Sequence, residues 1–168
     1  MNAVISGGTK GIGYGIAESM LKEGMKVAIT GRTEDGVNKA QSELSQYGNA
    51  LGVVSDVRDL ASLEKAVNTI ISKWGQLDVL IANAGVGHFA SITEMTSEQW
   101  NETIDINLTG TFLGCKHGVR AMKQNPGGAG GSIINISSIT GLQGQIGGAA
   151  YCSSKGAVRL LTKTVAIE

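Results

Sequence analysis

Short apolar runs alternate along this chain with longer segments whose apolar residues recur at helical spacing. Asn2 to Ser6 reads as a strand. A glycine-rich turn and a helix from about Ile12 to Glu23 follow, with Ile12, Ile16, Met20 and Leu21 on one face. The pattern then repeats, predicting strands over Lys26–Thr30 and Leu51–Val54, with helices from about Asp35 to Tyr47 and Leu60 to Trp74. In the last helix Leu60, Leu63, Val67, Ile70, Ile71 and Trp74 keep helical spacing. Leu77–Ala82 is a further strand, before helical segments near Ser97–Asp105 and Asn107–Lys123, a strand over Ser132–Ser137 and a helix from about Ala150.

The runs VAIT, VLIA and IINI are apolar on successive residues rather than alternate ones, which marks strands covered on both faces. The expected fold is therefore α/β, a doubly wound parallel sheet of the Rossmann type. At 168 residues, with no repeat and no linker, the chain reads as one domain over 1–168. Pro126 to Gly131 reads as a loop within it.

Composition narrows the function classes. Formal net charge is zero and the Lys and Arg residues are scattered, so no basic face is available for a phosphate backbone and nucleic acid is excluded as a partner. No apolar run approaches the roughly 20 residues that cross a bilayer. Met1 leads straight into a strand pattern, so no membrane association and a cytoplasmic location are expected. The two cysteines, Cys115 and Cys152, both fall in helix patterns and suit reduced packing thiols. No residue is assigned to a metal. The 25 glycines imply many tight turns and close backbone approaches.

Candidate chemistry begins in the first turn, Ser6-Gly7-Gly8-Thr9-Lys10-Gly11-Ile12-Gly13. Its glycines, spaced GxxxGxG, let the backbone approach a pyrophosphate at the positive end of the next helix. At the end of the second strand a site for NAD usually carries an acid for the ribose hydroxyls, whereas here Gly31 and Arg32 stand. Arg32 can hold a 2'-phosphate through paired hydrogen bonds and Lys10 adds a second cation, so NADP(H) is favoured over NAD(H).

Five motifs together make the chain resemble the short-chain dehydrogenase/reductase family over its whole length. They are Gly7-x-x-x-Gly11-x-Gly13, Asp56-Val57, Asn83-Ala84-Gly85, Asn107, and Ser138 with Tyr151-x-x-x-Lys155. Ala82 replaces the first Asn of the family's NNAG. Ser6 replaces a common Thr but keeps a hydroxyl able to bond backbone across the turn. The resemblance implies that Thr9, Ile12 and the glycines line the cofactor, that Asp56 holds the adenine edge, and that Asn83-Ala84-Gly85 supports the central strand.

Tyr151 and Lys155 are four residues apart and so share a helix face. A neighbouring ammonium favours the phenolate, which would make the tyrosine a usable acid/base. The family pattern gives Lys155 a second role on the nicotinamide ribose. It gives Ser138 the substrate oxygen, with Ser137 a less favoured neighbour, and Asn107 a water whose protons pass to Lys155. His88 could reach the mouth of the site, though solvent exposure is the plainer reading. His117 reads as a helix-surface residue.

The implied activity is hydride transfer between NADP(H) and a small-molecule alcohol or carbonyl, with Tyr151 as general acid/base, in a homodimer or homotetramer. A non-catalytic dinucleotide-binding module and an inactive fragment of a longer reductase are the alternatives, and an epimerase or dehydratase is a third. Family members continue through two more strands and a substrate-covering segment. The chain is thus expected to be C-terminally incomplete, with an apolar edge near Ser132–Ser137.

Overall fold

A computed structural model describes all residues from Met1 to Glu168. Five parallel strands form one sheet: β1 (Asn2–Ile5), β2 (Lys26–Gly31), β3 (Ala50–Val54), β4 (Val79–Ala82) and β5 (Ser132–Asn135). Six α-helices connect or follow them: α1 (Gly11–Lys22), α2 (Glu34–Leu44), α3 (Leu60–Trp74), α4 (Ser97–Ile104), α5 (Gly110–Met122) and α6 (Ala149–Val165).

The strand order is β3-β2-β1-β4-β5. The chain winds outward from β1 to one side, then returns to β1 and winds outward to the other through β4. The reversal opens a crevice at the carboxyl ends of β1 and β4, where open parallel sheets bind ligands. The register pairs Ile5 with Ile29 on one side and with Ile81 on the other.

The unbroken apolar runs divide by the period of two. Ile5, Ile29 and Ile81 enter the core beneath α1 and α2 with Leu21 and Leu44. Val4, Ala28 and Leu80 enter the opposite core with Val67 and Ile70 of α3, Met122 of α5 and Leu77 just before β4. Both faces of the sheet are thus buried, as the sequence pattern requires.

Local signals set the helix ends. Asp59 caps α3 by accepting from the Ala61 amide, and Gly75 closes it at φ 85° in the left-handed region. Thr96 and Gln99 form a reciprocal capping box on α4.

Several boundaries differ from the sequence expectation. Leu77 does not extend β4, because its N–H and C=O both bond the Asn125 side chain. α2 stops at Leu44 instead of Tyr47, where Ser45 turns its hydroxyl back to the Gln41 carbonyl. β5 ends at Asn135, and the Ile136 carbonyl accepts from Lys155 Nζ at 2.7 Å instead of continuing a ladder.

Two side-chain placements are also corrected. On α1 the buried line runs through Gly13, Ala17 and Leu21, while Ile12 is exposed at the crevice. Gly13 and Ala17 are small enough for the helix to approach the sheet closely. His117 is not a surface residue: it is 7% exposed on the face of α5 that packs towards α3 and the sheet, and desolvation lowers its pKa. No helix is long and apolar enough to cross a membrane.

Candidate active site

The turn after β1 is shaped by close backbone approach. Gly7 and Gly11 adopt φ 66° and 58°, a region that a side chain resists. A Cβ on Gly13 would lie 2.5 Å from Asn83 Nδ2, and one on Gly7 would lie 2.9 Å from Ala84 Cα. The turn is therefore pressed against the Asn83-Ala84-Gly85 segment.

Ser6 staples the two turns together, because its hydroxyl accepts from the backbone amides of Asn83 at 3.0 Å and Ala84 at 3.1 Å. Asn83 returns the contact by donating from Nδ2 to the carbonyls of Ser6 and Gly7. The hydroxyl retained at position 6 thus bonds backbone across the crevice.

The other side of the turn stays open. Lys10 is the N-cap of α1 without any side-chain cap bond, no acid lies in the first turn, and a Cβ on Gly11 would meet nothing within 4 Å. Uncapped amides at a positive helix end fit an anionic group such as a pyrophosphate. Thr9 packs beside Gly31, where a Cβ would come within 2.6 Å of its Cγ2, so this turn also touches the end of β2 next to Arg32.

Asp56 lies just past β3, beside the end of β2, where the Ser55 amide donates to the Gly31 carbonyl. Its carboxylate is gripped by Arg58. Oδ1 accepts from the Arg58 amide and Nε, both at 3.0 Å, and Oδ2 accepts from Nε at 3.2 Å and Nη2 at 2.6 Å. The bonds from Arg58 hold the Asp56 pKa below its ordinary value, with Arg32 adding to the lowering. Arg58 was not singled out from the sequence, although an acid and a base two residues apart just after a strand are a readable signal. Val57 is buried against Leu63 and Ile106.

At the centre of the crevice Lys155 is 4% exposed, and its burial lowers its pKa. Its Nζ lies 5.8 Å from the Tyr151 ring centroid, and a Cβ on Gly85 would come within 3.6 Å of it. The Ile136 carbonyl orients the ammonium, while Ser137 Oγ donates to the Lys155 carbonyl and ties α6 to the end of β5. Ser137 thereby has a scaffold role. Ser138 is the residue left facing Thr140, with hydroxyls 2.9 Å apart, and it caps the short turn Ile139–Gly141.

Asn107 is fully buried within a π-helical turn, Asp105–Thr109, that joins α4 to α5 without a break. The wider turn rotates Asn107 inward, and such turns recur at functional sites. Its Oδ1 accepts from the Val86 amide at 2.8 Å, and its Nδ2 donates to the Val86 carbonyl and to Ser154 Oγ. Both amide hydrogens are therefore engaged within the protein, which leaves only oxygen lone pairs of this residue for a water.

The loop after β4 completes the mouth. His88 Nε2 is 2.7 Å from Glu102 Oε2, so this histidine is paired rather than simply solvated. Phe89 leans over Tyr151 with ring centroids 5.8 Å apart. The Ala90 amide donates to the Gly147 carbonyl, joining this loop to the one before α6. No group of three or more His, Cys, Asp or Glu side chains is placed to hold a metal ion. Cys115 and Cys152 are free thiols, and burial raises the pKa of Cys115.

The architecture is a doubly wound α/β sheet with a glycine turn at its switch point and a Tyr-Lys pair in the same crevice. The family model described as short chain dehydrogenase matches residues 1–168. The chain belongs to that family.

It is 38% identical over 166 residues to the NADP-dependent (R)-specific alcohol dehydrogenase of Lentilactobacillus kefiri, covering 99% of this chain and 65% of that protein. It is also 38% identical over 167 residues to a 3-alpha-(or 20-beta)-hydroxysteroid dehydrogenase of Mycobacterium tuberculosis, covering 99% and 62%. An alcohol dehydrogenase from the archaeon Thermococcus sibiricus, solved with 5-hydroxy-NADP, superposes with a TM-score of 0.91 at 30% identity over 99% of this chain and 70% of that one. The chain thus spans about two thirds of the length of these relatives.

Proposed function

We propose that the protein transfers a hydride between NADP(H) and a small-molecule alcohol or carbonyl, with Tyr151 as the general acid/base. The observation that carries this reading is the buried Lys155 ammonium, oriented by the Ile136 carbonyl and facing the Tyr151 ring inside the crevice. Dinucleotide binding alone would not call for a desolvated lysine beside a tyrosine.

The nicotinamide group supplies the hydride when bound. The chain's own residues do the rest. The open end of α1, with Gly7, Gly11 and Gly13 holding the backbone close, receives the pyrophosphate, while Thr9 and Ile12 line its path. Arg32 and Lys10 meet the 2'-phosphate, and this pair of cations, with no acid at the end of β2, supports NADP(H) over NAD(H). Asp56 and Val57 border the adenine, and Asn83, Ala84 and Gly85 wall the crevice. Ser138 donates to the substrate oxygen as charge develops there, and Tyr151 Oη gives or takes the proton. Lys155 holds the ammonium that favours the phenolate, and Asn107 fixes the loop wall through Val86.

The activities of the relatives, an NADP-dependent alcohol dehydrogenase and a hydroxysteroid dehydrogenase, support the same class of reaction. We assign the protein to the cytoplasm and to a homodimer or homotetramer. The test is Tyr151→Phe, with NADPH consumption followed against a panel of ketones and cofactor affinity measured by fluorescence. Turnover should fall by about 10³-fold or more, with the NADPH Kd within about twofold of wild type. A variant that keeps its turnover overturns the assignment.

A further inference from the structure

The geometry points to Arg58 as a positioning residue of the cofactor site, one that occupies and neutralises the Asp56 carboxylate so that Arg32 remains free for a 2'-phosphate. This inference rests on the NADP(H) reading above and assigns a role to a residue that the reading does not use.

Three charged residues stand where β2 and β3 end. Arg32 follows β2 directly, Asp56 stands two residues past β3, and the Ser55-to-Gly31 backbone bond holds the two strand ends together. Arg32 lies near enough to stabilise the ionised Asp56. Left alone, the carboxylate would draw the Arg32 guanidinium to itself and would oppose a phosphate dianion arriving beside it. Arg58 prevents both. Its fork covers both carboxylate oxygens through Nε and Nη2, and its backbone amide adds a further bond to Oδ1.

The backbone beneath the carboxylate is fixed as well. The Asp56 amide donates to Ser62 Oγ, which in turn donates to Ser55 Oγ, so the backbone that carries the acid is held at the strand ends while Arg58 alone grips the carboxylate. A bidentate guanidinium–carboxylate pair is directional and holds its geometry better than a lysine contact would. The cluster therefore carries one surplus positive charge, and it resides on Arg32, the member with no hydrogen-bonded partner in it. An NADP(H) preference needs a cation at this point.

The test measures binding, not turnover, on the full 168-residue chain, with the Kd values for NADPH and NADH obtained by fluorescence for wild type and variants. In Arg58→Leu the ratio of the two affinities should narrow by about tenfold, because the freed carboxylate captures Arg32. NADH affinity should move by no more than about twofold. In an Asp56→Asn background, Arg58→Leu should leave the ratio unchanged, since no carboxylate remains to be neutralised.

An equal narrowing in both backgrounds would place Arg58 on the phosphate itself and overturn the positioning role. An unchanged ratio in Arg58→Leu would overturn it as well, and so would a parallel loss for both cofactors. If wild type binds NADPH no better than NADH, the reading of Arg32 fails first and this inference falls with it. Arg58 is solvent-facing, and a thermal melt of each variant confirms that the folded state is being compared.

Discussion

Lys155 shows how one residue links folding to chemistry. Burial lowers its pKa, so between that lowered value and its ordinary one the unfolded chain binds the proton more readily than the folded chain does. Stability then rises with pH across that window, because it rises wherever the unfolded state holds more protons. Below the window both states are charged and the cost of burying the ammonium is fully present. The difference in unfolding free energy between wild type and Lys155→Met, measured in urea from about pH 8 to about pH 10, should therefore increase with pH. A flat or falling difference would show that the ammonium is solvated in the folded protein.

At the scale of the element, the π-helical turn Asp105–Thr109 decides where α4 and α5 point and what Asn107 reaches. A regular α-helix through these residues would rotate the side chain away from Val86. As built, Asn107 replaces missing ladder bonds for the Val86 amide and carbonyl and reaches α6 through Ser154, whose hydroxyl donates to the Tyr151 carbonyl. The element that carries Tyr151 and Lys155 is thereby tied to the loop that walls the crevice. Asn107→Ala would leave both Val86 groups without their partner in a partly buried setting. It should lower stability by about 2–4 kcal/mol, read from the urea midpoint at unchanged slope. A loss below about 0.5 kcal/mol would mean that these bonds are replaced by solvent.

At the scale of the whole molecule, the sheet has two edges of different character. β3 is covered by α2 along one side, whereas β5 presents Ile134 at the opposite edge, where it is 48% exposed. Leu160 of α6 and Phe112 of α5 are exposed as well. An apolar strand edge with unpaired backbone groups pairs readily with another copy, and a charged side chain on such an edge discourages that pairing. The 168-residue chain should therefore show concentration-dependent association by light scattering, and Ile134→Lys should reduce it without changing the melting temperature by more than about 3 °C. Association that Ile134→Lys leaves untouched would place the contact on α5 and α6 instead.

The parallel α/β architecture was legible because its signals are local: apolar runs for strands buried on both faces, helical spacing between them, and glycines where φ turns positive or two backbones touch. Tyr151-x-x-x-Lys155 was legible for the same reason, since a spacing of four residues on a helix already places both side chains on one face. Only the tertiary structure decided which partners those residues meet. His117 was read as exposed, because its neighbours on α3 and the sheet lie far away in sequence. Helical spacing groups Ile12 with Leu21 on one face, but periodicity does not say which side of a helix end the crevice occupies, and Ile12 stands exposed while Leu21 is buried. The Ile136 carbonyl on Lys155, the Val86 backbone on Asn107 and the Arg58 fork on Asp56 depend on loop paths and side-chain torsions that no periodic pattern encodes. Sequence thus determined the class of fold and the residues able to do chemistry. The long-range packing of β4, β5 and α6 determined which of them are buried, oriented and charged.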